Sequence, residues 1–152
     1  MSERESNRKV RSDFPHLVPM PTRWADNDPY GHVNNATYYA YFDTVVNNYL
    51  IDQGGLDLAD STAIGVVVET MCRFFQSVSY PENLEIGMAV GKLGGSSVRY
   101  ELAVFCQGED RAVAAGHFVH VFIDRASGKP VAIPEPMRGA LERLLIEADV
   151  PD

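Results

Sequence analysis

The chain predicts an α+β domain in which one long helix is followed by four consecutive long strands and a closing helix. Two observations carry this. From Tyr38 onward the apolar residues recur at 38, 41, 42, 45, 46 and 49, which is helical spacing with one buried face. Between Ala63 and Asp124 the chain then gives four runs rich in β-branched and aromatic residues, separated by glycine or proline turns.

Residues 1–13 mix both charges with almost nothing apolar, and we expect a mobile tail there, with one domain over 14–148. Phe14 to Trp24 is broken by prolines and predicts a short edge strand near Val18 to Ala25. Asp28-Pro29-Tyr30-Gly31 is a turn, because proline presets φ at the second position and glycine tolerates positive φ at the fourth. Asn34 or Asn35 is a ready helix cap, and Gly54-Gly55 stops a helix running from Asn35 to Gln53.

Strands are expected over Ala63–Val78, Leu84–Leu93, Ser97–Gln107 and Ala112–Asp124. In the third, Val98, Tyr100, Leu102, Val104 and Cys106 share a face; in the fourth, Val113, Ala115, His117 or Phe118, Val119, Val121 and Ile123 give an imperfect alternation. Short turns between consecutive strands predict an antiparallel meander. These strands exceed the usual five or six residues, long enough for the sheet to curl around the helix. Pro134 to Glu147 starts with proline and carries Met137, Leu141, Leu144 and Leu145, an amphipathic terminal helix, with a frayed end from Ala148.

Composition narrows the function classes. One hundred and fifty-two residues at 45% apolar make one domain with a sizeable core. A net charge of −8 argues against a nucleic-acid or anionic-membrane partner bound through bulk charge. Two cysteines, Cys72 and Cys106, make no disulfide framework and fit buried, reduced thiols. The N-terminus has no apolar stretch of the secretory kind, and no run is long enough to span a membrane. We therefore expect a cytoplasmic protein.

Chemistry concentrates where the turn meets the helix. Asp28 precedes a helix whose first N–H groups have no partners within it, and those groups with the helix dipole favour negative charge. A carbonyl oxygen placed there is polarised as in an oxyanion hole, and a neighbouring carboxylate can attack the carbonyl carbon or activate water. Asp26 reads as a solvated or turn-stabilising acid, Asp43 as a solvated helix acid, and Tyr38, Tyr41 and Phe42 as core.

The pattern Asp-x-x-Gly-His-Val-Asn-Asn-x-x-Tyr, from Asp28 to Tyr38, resembles the hot-dog-fold acyl-CoA thioesterases of the 4-hydroxybenzoyl-CoA thioesterase type. The resemblance extends more loosely to about Arg125, through element order and Ser79-Tyr80-Pro81-Glu82. It implies a helix lying in the palm of a curved antiparallel sheet. It implies too a homodimer or homotetramer with active sites at the subunit interface, and an acyl-CoA substrate. By the same resemblance Asp28 is the catalytic carboxylate and the oxyanion donor is the backbone N–H at about Asn35. Some relatives also use the histidine, here His32, although those carry asparagine where this chain has Tyr30. Relatives sometimes place an acid in the strand that holds Glu69.

Tyr30, Glu69 and Arg73 complete the candidate set as substrate-binding residues, and Arg73, Lys92, Arg99 and Arg125 are the basic candidates for CoA phosphates. A buried Glu69 needs a partner, and its options are solvent, Arg73 or the cleft. His117 and His120 lie three apart on a strand and point to opposite faces, a poor metal pair, so we expect no metal and no cofactor. Gly91 to Ser97 matches no phosphate-loop pattern, and no Gly-x-Ser-x-Gly elbow occurs. The leading expectation is an acyl-CoA thioester hydrolase. Its rivals are a non-catalytic acyl-CoA-binding domain and a hydratase or dehydratase on the same fold.

Overall fold

A computed structural model describes residues 8–147. Five strands form one antiparallel sheet: β1 (His16–Pro21), β2 (Ala63–Phe74), β3 (Asn83–Leu93), β4 (Ser97–Cys106) and β5 (Ala114–Asp124). Their order is β1-β3-β4-β5-β2. One long helix, α1 (Asn35–Gly54), packs on the sheet, and a short one, α2 (Met137–Glu142), packs on α1 and β3. This is the α+β hot-dog arrangement. Among the described residues no helix is long and apolar enough to cross a membrane.

The helix forms where the spacing places it. Asn34 is the cap: its side chain accepts the Ala36 N–H at 2.9 Å. At the other end Gly55 takes φ 72°, the left-handed conformation that ends a helix, and its N–H returns to the Leu50 carbonyl. Tyr38, Tyr41, Phe42, Val45, Val46, Tyr49 and Leu50 are all buried, in one cluster with Tyr100, Leu102, Phe118 and Phe122 of the sheet. The Tyr49 hydroxyl donates to the Ala140 carbonyl at 2.6 Å, tying α2 to α1.

Four expectations need correction. Strands β3, β4 and β5 do form a meander, but β2 pairs with β5 instead of β3. The chain leaves β2 at Phe74 and crosses the start of α1, where Val33 N–H donates to Val78 O at 2.8 Å, before entering β3 on the far side of the sheet. On β5 the helix-facing set is Phe118, His120 and Phe122, so of the expected alternation only Phe118 belongs to it here. The edge strand covers His16–Pro21 and ends before Trp24, which sits in a 3-10 turn. The terminal helix stops at Glu142 because residues 144–146 turn instead to β3: Val90 N–H donates to Leu144 O, and Ile146 N–H to Val90 O.

Of the tail expected over 1–13, residues 1–7 lie outside the described residues, as does the end from Ala148. The described part of the tail runs beside the β4–β5 turn. Ala112 N–H donates to Lys9 O at 2.9 Å and Arg11 N–H to Asp110 O at 3.2 Å.

His117 and His120 face opposite sides of β5. His120, 2% exposed, lies against Tyr100 with its Nδ1 3.0 Å from the hydroxyl, and burial pushes it down to about 4. A Cβ on Gly65 would meet that ring at 2.7 Å, so the strand opposite carries glycine.

Candidate active site

The segment before α1 is a small hairpin. Asn27 and Val33 pair as an antiparallel bridge, and Asp28 to His32 form its tip. Gly31 N–H donates to Asp28 O at 3.0 Å, Asp28 N–H donates to His32 O at 2.9 Å, and Gly31 takes φ 84°. The glycine at the fourth turn position is therefore required by the backbone.

Asp26 anchors this hairpin. It is 1% exposed. Its carboxylate accepts the Arg23 N–H at 2.8 Å, the Arg23 guanidinium at 2.8 Å and the Tyr41 hydroxyl at 2.6 Å, and its carbonyl accepts the Asn34 N–H at 2.9 Å. Burial pushes this carboxyl up, but the hydrogen bonds from Tyr41 and Arg23 outweigh it and hold it below the usual value. The turn-stabilising expectation fits, with the acid buried instead of solvated.

Asp28 is held differently. It is half-buried, one oxygen accepting Tyr30 N–H at 2.9 Å and the other the Asn34 side-chain amide at 3.2 Å. Asn34 thus does two jobs, capping the helix with its oxygen and orienting Asp28 with its amide. Each carboxylate oxygen keeps a lone pair for a further partner. Beside it begins α1, with no acidic residue in its first turn to offset the dipole, and Asn35 N–H is its first donor without an intrahelical acceptor.

These groups share a cleft of about 440 Å³ lined by Asp28, Tyr30, His32, Asn35, Tyr38 and residues 74–77. Burial pushes the Tyr38 hydroxyl up to about 12, so it stays protonated at neutral pH. His32 and Tyr30 stand exposed at the mouth, Tyr30 at 86%. Four of the six candidates are therefore together: Asp28, His32, Asn35 and Tyr30.

Glu69 and Arg73 do not line this cleft. Glu69 pairs with His117, Oε2 to Nε2 at 2.8 Å, and not with Arg73. Arg73 lines a separate hollow on the other face of the sheet. Sequence reasoning missed three participants. The sequence marks Asn34 only as a cap, Tyr41 only as core, and residues 74–77 only as the end of a strand. The one available signal was the length of the β2 run past Phe74, which carries it to the helix start. Among the described residues no group of three or more His, Cys, Asp or Glu side chains is arranged to hold a metal ion.

Known proteins share the sequence and fold of this chain. A family model described as the thioesterase-like superfamily matches residues 22–141, spanning the hairpin, the helix and the sheet. The chain is 53% identical to the PA5185 protein of Pseudomonas aeruginosa strain PAO1, over 93% of this chain and 99% of that one, with a TM-score of 0.91. It is 27% identical over 123 residues to the YsmA protein of Bacillus subtilis strain 168, covering 80% of this chain and 82% of that one. The gentisyl-coenzyme A thioesterase BH1999 is similar at 23% identity and a TM-score of 0.73, covering 83% of this chain and 99% of that one, a likeness of fold.

Proposed function

We infer the reaction from one premise: the chain belongs to the thioesterase-like superfamily and is a thioester hydrolase. The reading is that it cleaves an acyl-CoA thioester to the free acid and CoA, with Asp28 as the working carboxylate. The observation that supports this is that Asp28 and Asn35, the first residue of α1, line the same cleft, while the Ala36 and Thr37 N–H groups are taken by Asn34.

The substrate carbonyl oxygen would lie against the helix start at about Asn35, where the backbone N–H stabilises the charge that develops on it. Asp28 would then act in one of two ways. As nucleophile it adds to the carbonyl carbon, the C–S bond breaks with its electron pair leaving on sulfur, and water hydrolyses the resulting anhydride to regenerate Asp28. As general base it takes a proton from the attacking water. Either way the leaving group is a thiol with a solution pKa of about 8.5, taking cysteine as the reference, so it departs as thiolate without a strong general acid. That makes a sparse site sufficient. At the mouth, Tyr30 would contact the substrate, and His32 stays a candidate for a direct catalytic role beside Asp28.

The same reading includes a homodimer or homotetramer and a cytoplasmic site of action. The outer edge of β2 is unpaired in this chain, and Val67 and Val68 on it are 48% and 59% exposed. A long apolar edge favours pairing with a second copy. Light scattering on the purified protein reads the oligomer directly; a monomer at micromolar concentration would overturn this part.

The deciding experiment is free-thiol release from short, long and aromatic acyl-CoAs by wild type and Asp28→Asn. Release that falls about 100-fold or more in the variant, within the range for a lost acid–base group, supports the assignment. Saturable acyl-CoA binding with no thiol release from any thioester favours the non-catalytic binding domain instead.

A further inference from the structure

Resting on the thioester reading, we propose that the outer face of the sheet carries a phosphate site for the thioester's carrier, built on Arg73, Lys9 and Arg99. The hollow there is about 130 Å³, sized for a small anion and not for a chain segment. Strand register explains why it exists. Across the sheet Arg73 faces Ala115, and Ala115 faces Ala103, so the row beside the arginine holds only methyl groups. The next row, Met71, His117 and Glu101, is full-sized and walls the hollow. Phe14 closes another side.

The polar groups around it are wired so that positive charge is left over. Arg99 Nε donates to Glu101 Oε1 at 2.9 Å, and Arg99 Nη2 lies 3.3 Å from His117 Nδ1. A guanidinium can only donate, so Nδ1 accepts, and the ring proton sits on Nε2, from which it donates to Glu69. Both nearby carboxylates are thus engaged. Arg73 and Lys9 line the same hollow and have no ion pair among the described residues. In a chain of net charge −8, a cationic hollow runs against the overall field and is a local feature. Lys9 is held in position by the backbone pairing of its segment to Ala112, and Arg8 beside it sits 5.5 Å over the Phe75 ring.

Phe75 links the two places. It lines both the Asp28 cleft and this hollow, one on each side of the end of β2. Because Phe75 borders both, a thioester with its carbonyl at the start of α1 and its carrier passing over Phe75 would have its phosphates directed to the cationic side. The hollow therefore assigns a role to Arg73 that the cleft itself does not. It also assigns one to the segment around Lys9.

The test uses the full chain and two probes, inorganic phosphate and adenosine 3′,5′-bisphosphate, titrated by calorimetry. We expect the bisphosphate to bind wild type, to weaken about five- to tenfold in Arg73→Gln and in Lys9→Gln, and to be unaffected by Lys129→Gln, an exposed lysine elsewhere. No binding to wild type, or equal losses in all three variants, overturns the site. A second arm compares kcat/KM for acyl-CoA, acyl-phosphopantetheine and the phosphate-free acyl-N-acetylcysteamine. In Arg73→Gln the ratio of acyl-CoA to acyl-N-acetylcysteamine should drop about five- to tenfold. A parallel drop for acyl-phosphopantetheine assigns the hollow to the arm's phosphate; a drop for acyl-CoA alone assigns it to the nucleotide phosphates. An unchanged ratio overturns the proposal. If no thioester releases thiol, the hydrolase reading fails while the calorimetric arm still decides the anion site.

Discussion

Asp26 and Asp28 stand two residues apart and live in opposite surroundings. Asp26 is sealed under the helix, with hydrogen bonds from Tyr41, the Arg23 guanidinium and the Arg23 amide. Asp28 lines an open cleft with two partly exposed bonds, from the Tyr30 amide and the Asn34 side chain, and lone pairs to spare. The difference teaches that, on the proposed reading, the carboxylate assigned to the chemistry stands beside a structural one. Asp26 fixes the loop, and a fixed loop gives Asp28 a defined position without saturating it. Geometry of that kind is what positions a nucleophile or base at low entropic cost.

The sharpest way to break the comparison is to exchange the roles. Asp28→Asn should lower thiol release about 100-fold or more while leaving the melting temperature within a few degrees, since its bonds are partly exposed. Asp26→Ala should do the reverse first: about 2–3 kcal/mol of stability is lost, because the buried Tyr41 hydroxyl is left without a partner, read by denaturant unfolding. Should Asp26→Ala keep full stability, the anchoring role is wrong.

Next in size is acid unfolding. The Asp26 carboxyl is held below its ordinary value, so its contribution is present above the unfolded pKa and is lost as pH falls through the folded one. Tyr41→Phe removes one of the bonds that hold it down. We expect a loss of about 1 kcal/mol at neutral pH and an acid midpoint moved to higher pH, followed by circular dichroism. An unchanged midpoint would mean that Tyr41 does not stabilise the charged form.

The smallest effect separates the two jobs of Asn34. Asn34→Ser keeps a capping oxygen but removes the amide that holds Asp28, so stability should change by less than about 0.5 kcal/mol. Thiol release should fall severalfold. A variant as active as wild type would show that Asp28 needs no lateral support.

Much of this was readable in advance, and the reason is locality. The turn at Asp28 to Gly31, the glycine stop at Gly55 and the buried stripe from Tyr38 to Tyr49 depend on residues within a few positions of each other. Propensity, capping and periodicity act at that range, so the α+β class, the helix bounds and the placing of Asp28 before a helix start follow from the order of residues alone. The choice between Asn34 and Asn35 as cap was already at the limit, since both are asparagines and only the backbone at Asn34 is extended.

What the tertiary structure decided involves residues far apart in the chain. Strand β2 pairs with β5 because the segment after Phe74 crosses the start of α1, and no local signal separates that from a plain meander. Glu69 finds His117, 48 positions away, because a bulge between Val67 and Glu69 turns it to the outer face. Asp26 is buried, though it sits in a polar stretch, because a helix residue 15 positions on supplies the hydroxyl that makes burial tolerable. The sequence by itself determined a capped helix with a carboxylate at its head. Only the folded sheet decided which side chains meet across it, because strand register is set by the packing of a whole face and not by any one strand.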